Sequence, residues 1–373
     1  MGTGESSREL VRRYHDPRYR AILADVLIGA AVLAFIALTA SGQALLGVVD
    51  SLPEVLGAFL LGALLVLVSS LVRLPLTFWL GLVHERRFGF SQQTAGAFAA
   101  DRAKAVAIGA VLTGLALAGL VLSAELFPSI WPLVAAAGAA LLVLLLSFVA
   151  PVVLEPVFNR FEPLEDSPLR EAVFRVGVES GVPVSEVLVA DASKRTTKLN
   201  AYVSGLGATR RVVLYDTLVQ RAGIPEVVTV IAHELGHRRY RHVAKGTALA
   251  MAGAAGIVLA LWALLSSGRV LDAIEAAGAG DARVAAFALL VPALIGLVTA
   301  PLQAALSRRW EYACDRFAVD QTGDQGAFES AFGLLAEANL PDSEPPRLAY
   351  LWLFSHPTVP ERVAAVQSTR VPA

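Results

Sequence analysis

Cysteine is nearly absent. Cys314 stands alone in 373 residues, so no internal disulfide can form, and the chain suits a reducing compartment. Charge is scarce too: 17% of residues are Asp, Glu, Lys or Arg, against roughly 25% in soluble domains. A net charge of −1 supplies no bulk positive field for nucleic acid. Lysine is confined to Lys104, Lys194, Lys198 and Lys245. With so much Ala, Gly and Val beside Arg, the composition points to a GC-rich bacterial genome. No cleavable signal segment is legible. The first 20 residues are polar and Arg-rich, and the apolar run after them is too long for a signal h-region. Repeats and low-complexity tracts are lacking as well.

Apolar residues are abundant, at 55% of the chain, with a mean hydropathy of +0.60. Six stretches, about 21–40, 55–83, 104–123, 131–154, 244–266 and 284–306, reach the roughly 20 residues a spanning helix needs. The second contains Arg73 and Pro75, so a tilt or kink is expected there. Lys and Arg alternate between loops: loop 41–54 and loop 124–130 have none, while loop 84–103 holds Arg86, Arg87 and Arg102. That bias places both termini, segment 155–243 and the tail after 306 on the cytoplasmic side, in a bacterial inner membrane if the source is bacterial. The chain divides into a membrane region with four spans (1–154), a first polar region (155–243), two further spans (244–306) and a C-terminal polar part (307–373). Asp25 and Arg73 are charges within apolar spans and are functional candidates for that reason. Asp25 sits near the inner end of its span, and Arg73 either lines an internal chamber or snorkels to the surface.

Segment 155–243 reads as mixed. Leu169–Ser180 has helical spacing. Glu186–Ala190 and Arg211–Tyr215 are β-branched runs, and Leu199–Leu206 between them is a further strand candidate. Pro225–His242 predicts one helix. Arg308–Gln321 continues a helix out of the last span. Phe328–Ala338 and Pro360–Val366 read as helices, the last capped by Thr358.

The sharpest motif is His233-Glu234-Leu235-Gly236-His237. Residues four apart on a helix share a face, so both imidazoles can reach one zinc ion, with Glu234 placed as the base that deprotonates a water on it. The residues before it, Val227–Ala232, are largely apolar, and buried histidines beside a glutamate need a partner. A catalytic zinc takes three protein ligands and keeps a fourth position open. Glu311 is the candidate third ligand. Asp315, four residues on, is placed to hydrogen-bond the free nitrogen of a ligating histidine. Cys314 lies off that face and reads as packing. His356 and Arg362 have the chemistry to stabilise an oxyanion, although Arg362 by spacing alone also reads as a solvated helix residue. Asn200-Ala201-Tyr202 opens a strand-like run that would let a peptide pair by its main chain. A membrane transporter or channel with a structural metal would have a fourth protein ligand and no use for Glu234. A pseudo-protease would not need the intact base.

Several segments in order carry a resemblance. They are His84-Glu85-Arg86-Arg87-Phe88-Gly89-Phe90-Ser91-Gln92-Gln93-Thr94, Glu155-Pro156-Val157-Phe158-Asn159-Arg160-Phe161-Glu162-Pro163-Leu164, Ser193-Lys194-Arg195 with Asn200-Ala201-Tyr202, Arg211 to Leu218, the two zinc-type helices, and Ser355-His356-Pro357 with Glu361-Arg362. Over roughly residues 75–370 the chain resembles the CAAX prenyl protease 1 family, integral-membrane zinc endopeptidases related to the HtpX-like membrane proteases. The resemblance implies a mainly α fold. A polytopic helical bundle of about six spans would enclose a chamber, and a gluzincin-like zinc protease domain with a small β-sheet would lie on its cytoplasmic side. It implies one zinc per chain on His233, His237 and Glu311, with Glu234 as base. It also implies that His356 and Arg362 hold the oxyanion or substrate carbonyl, and that Asn200 binds substrate backbone. The implied substrate is a peptide or membrane-associated protein, prenylated in CAAX processing or unprenylated in HtpX-like quality control, with the lipid bilayer as the other partner. The chain departs from the family after the histidine pair: it has Arg238-Arg239-Tyr240-Arg241-His242 where eukaryotic members have Trp-x-x-Gly-His. Substrate choice is therefore expected to differ.

Overall fold

A computed structural model describes residues 7–204 and 211–368. The membrane part opens with α1 (Ser7–Leu38) and short α2 (Ala40–Leu46), followed by α3 (Glu54–Phe78), α4 (His84–Arg87), α5 (Ala95–Leu126), α6 (Trp131–Val149) and α7 (Glu155–Phe158). A polar layer comes next: β1 (Phe161–Pro163), α8 (Pro168–Glu179), β2 (Glu186–Ala190), β3 (Ala201–Ser204), β4 (Arg211–Tyr215), α9 (Asp216–Arg221) and α10 (Ile224–Arg239). The chain re-enters the bundle as α11 (His242–Leu265), α12 (Gly268–Ala273) and the long α13 (Ala285–Thr322). It ends with α14 (Gln325–Asn339), α15 (Arg347–Leu353) and α16 (Val359–Ser368).

Among the described residues, six helical stretches are long and apolar enough to cross a membrane: Arg8–Leu38, Glu54–Arg87, Ala95–Leu126, Trp131–Phe158, His242–Leu265 and Ala282–Thr322. These match the six expected spans, most of them longer than the apolar run alone: the first begins at Arg8 and the last runs on to Thr322. Arg8, Arg12, Arg13, Arg18 and Arg20 lie in the first turns of α1. Spans two and four keep going past their α-helical ends through wide π-turns at Trp79–Val83 and Ala150–Leu154. Such a turn carries one extra residue and re-aims the side chains after it. Where the bundle packs on itself it does so through small residues. Gly62 of α3 and Gly114 of α5 approach so closely that a Cβ on Gly62 would sit 2.9 Å from Gly114 Cα, and one on Gly114 would sit 2.8 Å from Phe59 O. Large apolar side chains such as Leu133, Leu141, Val298 and Leu302 stay exposed on the outer faces, as a lipid-facing surface requires.

The strands stand in the order β1-β2-β4-β3. The central pair β2 and β4 is parallel and the outer pairs are antiparallel. Val212, Val213 and Leu214 are wholly buried, which fits a central strand covered on both faces. β3 is an edge. The predicted strand over Leu199–Leu206 is realised as Ala201–Ser204, and Gly205 and Leu206 lie outside the described residues. The predicted single helix over Pro225–His242 is two helices. α10 stops at Arg239, Arg241 turns with φ 57, and α11 starts at His242. Arg238, Arg239 and Arg241 offer no apolar stripe to bury, and the helix breaks among them.

The polar layer is tied to the bundle just ahead of β3. Ser91 and Thr196 form a β-bridge, and Thr197 N donates to Phe90 O at 3.0 Å. Lys198 Nζ donates to Glu85 Oε2 and to Tyr14 Oη, each at 2.8 Å, and Tyr14 Oη donates to Glu85 Oε1 at 2.6 Å. Arg18 completes the pairing of Glu85. Arg73 pairs with Asp25, with Nε donating to Oδ1 at 2.9 Å. Both line a cavity of about 640 Å³ among the spans, which places Arg73 in the chamber wall.

The close crossing at Gly114 predicts a sign that helix propensity alone gets wrong. Ala is the better helix former by about 1 kcal/mol, but Gly114→Ala must displace backbone, and overpacking costs about 1–3 kcal/mol. Thermal unfolding in detergent should show a lowered midpoint for Gly114→Ala. Gly253→Ala, with nothing within 4 Å of the added carbon, should be neutral or stabilising.

Candidate active site

Two helices bring the sequence-predicted residues together. Gly223 precedes α10 as its N-cap, and Pro225 lies in the first turn, where a missing N–H costs nothing. It buries Val227, Ile231, Ala232 and Leu235 against the sheet. Its other face crosses α13 at Gly236, where an added Cβ would lie 3.2 Å from Cys314 Cα. That glycine lets the two helices approach, and Cys314, wholly buried, fills the crossing as the packing residue the sequence suggested.

The approach leaves three side chains facing one point. His233 Nε2 and His237 Nε2 are 3.3 Å apart. Each is also 3.3 Å from a Glu311 oxygen, Oε2 and Oε1 respectively. Atoms around a tetrahedral zinc, at bond lengths of about 2.0–2.1 Å, stand about 3.3–3.4 Å apart. Glu311 is 2% exposed, and its Oε2 makes no hydrogen bond among the described residues. A buried carboxylate oxygen left so is costly, and a cation would satisfy it together with both nitrogens. The residues present therefore fit a metal of the zinc class.

Asp315 backs this group. Its Oδ1 is 2.9 Å from His233 Nδ1. Arg362 grips the same carboxylate in bidentate fashion, Nε to Oδ2 at 2.8 Å and Nη2 to Oδ1 at 2.6 Å. Its guanidinium lies over Phe332 at 4.4 Å. Arg362 is buried, not a solvated helix residue, and its position is set by a reciprocal cap. Thr358 N donates to Glu361 Oε2 at 2.8 Å, and Glu361 N reaches Thr358 Oγ1 at 3.4 Å, the capping-box pattern that fixes a helix start. Burial and Arg362 oppose a proton on His233, but the Asp315 and Glu311 carboxylates outweigh them and push its pKa up to about 9. That proton occupies the place of a cation. Burial pushes the Glu234 carboxyl up, against the pull of His233 and His237.

A cavity of about 440 Å³ opens above the cluster, lined by His233, Glu234, Glu311, His356 and Arg362 on one side and Asn200 and Ala201 on the other. His356 Nε2 is 3.5 Å from Glu311 Oε1. Its Nδ1 is 2.9 Å from Ser355 Oγ, and burial lowers its pKa. Tyr202 is not part of this cavity. Alternation along the strand turns it to the other face, where its hydroxyl donates to Glu155 Oε2 at 3.1 Å. The sequence pattern assigned no role to His242, which lies under His237. Its signal is a further histidine five residues past the pair, visible only if the helix is known to break between them.

Comparisons with known proteins agree with this arrangement. Residues 12–160 match the CAAX prenyl protease N-terminal region of five membrane helices, and residues 163–370 match Peptidase family M48. An uncharacterized metalloprotease of Bacillus subtilis, YhfN, is 28% identical over 301 residues, which is 80% of this chain and 70% of that one. The CAAX prenyl protease 1 homolog of Arabidopsis thaliana is 29% identical over 317 residues, with the same coverage. The crystal structure of S. mikatae Ste24p superposes with a TM-score of 0.84 over 96% of this chain and 89% of that one, at 24% identity, and so shares the chambered fold. The M48 match spans more than half of the chain and takes in α10, α13 and α16 together. The chain therefore belongs to Peptidase family M48, as an integral-membrane metallopeptidase that acts on peptide or protein substrates.

Proposed function

We propose that the metal is zinc, held by His233, His237 and Glu311, and that the protein cleaves peptides presented from the membrane. The observation that carries this reading is the 3.3 Å spacing of the two Nε2 atoms and the Glu311 oxygens on the floor of a cavity. Zinc, when bound, makes a water acidic near neutral pH and polarises a carbonyl. Glu234 takes the proton of the attacking water and delivers it to the leaving amine; its raised pKa suits a group that both accepts and releases. Asp315 orients His233 through Nδ1. His356 holds the carbonyl oxygen as negative charge grows on it. Arg362 supplies positive field to the same place while anchoring Asp315. Asn200, just ahead of edge strand β3, binds the substrate backbone in this reading.

A CAAX-type substrate, with a lipid on one residue and a scissile bond beside it, suits the two cavities. Leu353 lines both the cavity over Glu311 and the intramembrane cavity. The named CAAX prenyl protease relatives support the same substrate class. In this reading residues 1–154 and 244–306 build the chamber, while 155–243 and 307–373 build the catalytic layer. The Lys and Arg loop bias puts that layer and both termini in the cytoplasm, at the inner membrane of a bacterium.

Purified protein should cleave a farnesylated CAAX peptide and spare its unprenylated twin. Glu234→Ala should lower kcat by about 10²–10⁴ with zinc retained. Equal cleavage of both peptides would make it a general membrane peptidase of the HtpX-like kind. Cleavage that survives in Glu234→Ala would remove the base from Glu234. Glu311→Gln should lose bound zinc, read by elemental analysis. His356→Ala should keep its zinc and lose roughly 10²–10³ in kcat at nearly constant KM. Arg362→Gln should lose both rate and zinc affinity, because it also frees Asp315; a normal zinc affinity there would confine Arg362 to the substrate.

A further inference from the structure

His242 is a buried imidazole that the site chemistry does not use. It is 5% exposed. The left-handed backbone at Arg241, φ 57, is one that non-glycine residues adopt only under constraint. The reversal it makes brings the His242 ring under His237. His242 Nδ1 lies 3.2 Å from His237 Nδ1. The ring stacks on Trp310 with centroids 4.7 Å apart and planes 6° from parallel. Cys314 Sγ is 3.6 Å from the same His242 nitrogen.

Hydrogen bookkeeping between the two rings has one consistent solution. If His237 offers Nε2 to a metal, that nitrogen keeps a lone pair, and the ring proton sits on Nδ1. The facing Nδ1 of His242 must then accept, which places the His242 proton on Nε2. We propose that His242 is a positioning residue for the metal site: a neutral acceptor that fixes the tautomer and ring plane of His237, with Trp310 holding its own plane. This rests on the zinc reading given above.

Charge explains why the acceptor is neutral. A divalent cation and the Arg362 guanidinium balance the carboxylates of Glu234, Glu311 and Asp315. A fourth carboxylate under His237, in the role Asp315 plays for His233, would leave a buried cluster with net negative charge, which is costly. An imidazole gives the lone pair without the charge. The rival use of the same atoms is a second soft cation held by His237, His242 and Cys314, whose ligand atoms lie within 4.8 Å of one another.

The test uses the full chain in detergent, with zinc counted by elemental analysis and its affinity read by chelator competition. His242→Asn sets an amide oxygen where Nδ1 stands, whereas His242→Phe keeps a ring on Trp310 and removes the acceptor. Wild type should bind one zinc, and so should Cys314→Ala, with the same affinity. His242→Phe should bind about 10–100-fold more weakly, and His242→Asn should stay within about threefold of wild type. Wild-type affinity in His242→Phe would overturn the proposal. Equal losses in the Phe and Asn variants would do so too, by assigning the ring a packing role. Two zinc ions in wild type, one of them lost in Cys314→Ala, would establish the second-cation site instead. A wild type that takes up no zinc would sink the site reading itself, and this inference with it.

Discussion

Two imidazole nitrogens and the two oxygens of one carboxylate, in contact at 3.3 Å in a buried place, repel one another unless positive charge lies among them. The surrounding structure answers to that constraint. Glu311 is almost fully buried and Asp315 is wholly so, which places two carboxylates in a medium that penalises both. Arg362 compensates one of them at 2.6–2.8 Å, and its own helix is fixed by the Thr358–Glu361 cap. The Glu311 oxygen beside His233 makes no hydrogen bond among the described residues and has Arg362 Nη2 only at 3.3 Å. Arg362 thus binds the Asp315 carboxylate closely and the Glu311 carboxylate only loosely, a pattern that suits the proposed metal site.

The geometry depends on the membrane as much as on the polar layer. Glu311 and Asp315 ride on α13, a 38-residue helix whose first turns pack within the bundle. The histidines ride on α10, which packs on the sheet. Only the crossing at Gly236 brings the two together. The substrate-facing wall has the same dual parentage. The residues leading into β3 pair with Phe90 and Ser91, and Lys198 is pinned by Glu85 and Tyr14 from two different spans. The π-turn at Trp79–Val83 re-aims the helix beyond it, so that His84 stacks on Tyr14 and Glu85 reaches Lys198. The segment His84–Thr94, which the sequence showed only as a likeness, is a bracket between bundle and catalytic layer.

Much of this was legible in the residues. The six apolar runs, the β-branched strands at Glu186–Ala190 and Arg211–Tyr215, the histidine pair and the Glu311–Asp315 face each come from a local period, and the structure places them accordingly. The features that were not legible are non-local. Nothing in the local pattern around Arg362 separates a buried guanidinium on Asp315 from a solvated one, because its partner is 47 residues away. Arg73 had two readings until Asp25, 48 residues off, was known to face it. The break at Arg241 ran against a helical propensity that favours continuing through Arg238 and Arg239. That break decides where His242 goes. Tyr202 was read with its neighbours as one unit, whereas strand alternation sends it to the opposite face.

Helix α15 lies between the two cavities, with Leu353 lining both. Trp352 Nε1 donates to Leu297 O at 3.0 Å, which ties α15 to the membrane half of α13. Arg308, from the polar half of the same helix, donates to Phe354 O at 2.6 Å and to Tyr350 O at 3.2 Å, satisfying carbonyls that a helix end leaves unpaired. One helix thus holds the C-terminal turn of α15 from both of its own halves, with Leu353 on the boundary between the intramembrane cavity and the cavity over Glu311. Neither cavity alone distinguishes a lipidated peptide from a plain one: the first would take any apolar group and the second any extended main chain. Under the proposed function, discrimination would rest on the distance between them, because only a substrate with its apolar anchor and its scissile bond at that separation satisfies both at once. Holding α15 by α13, the helix that also carries Glu311, keeps that distance constant.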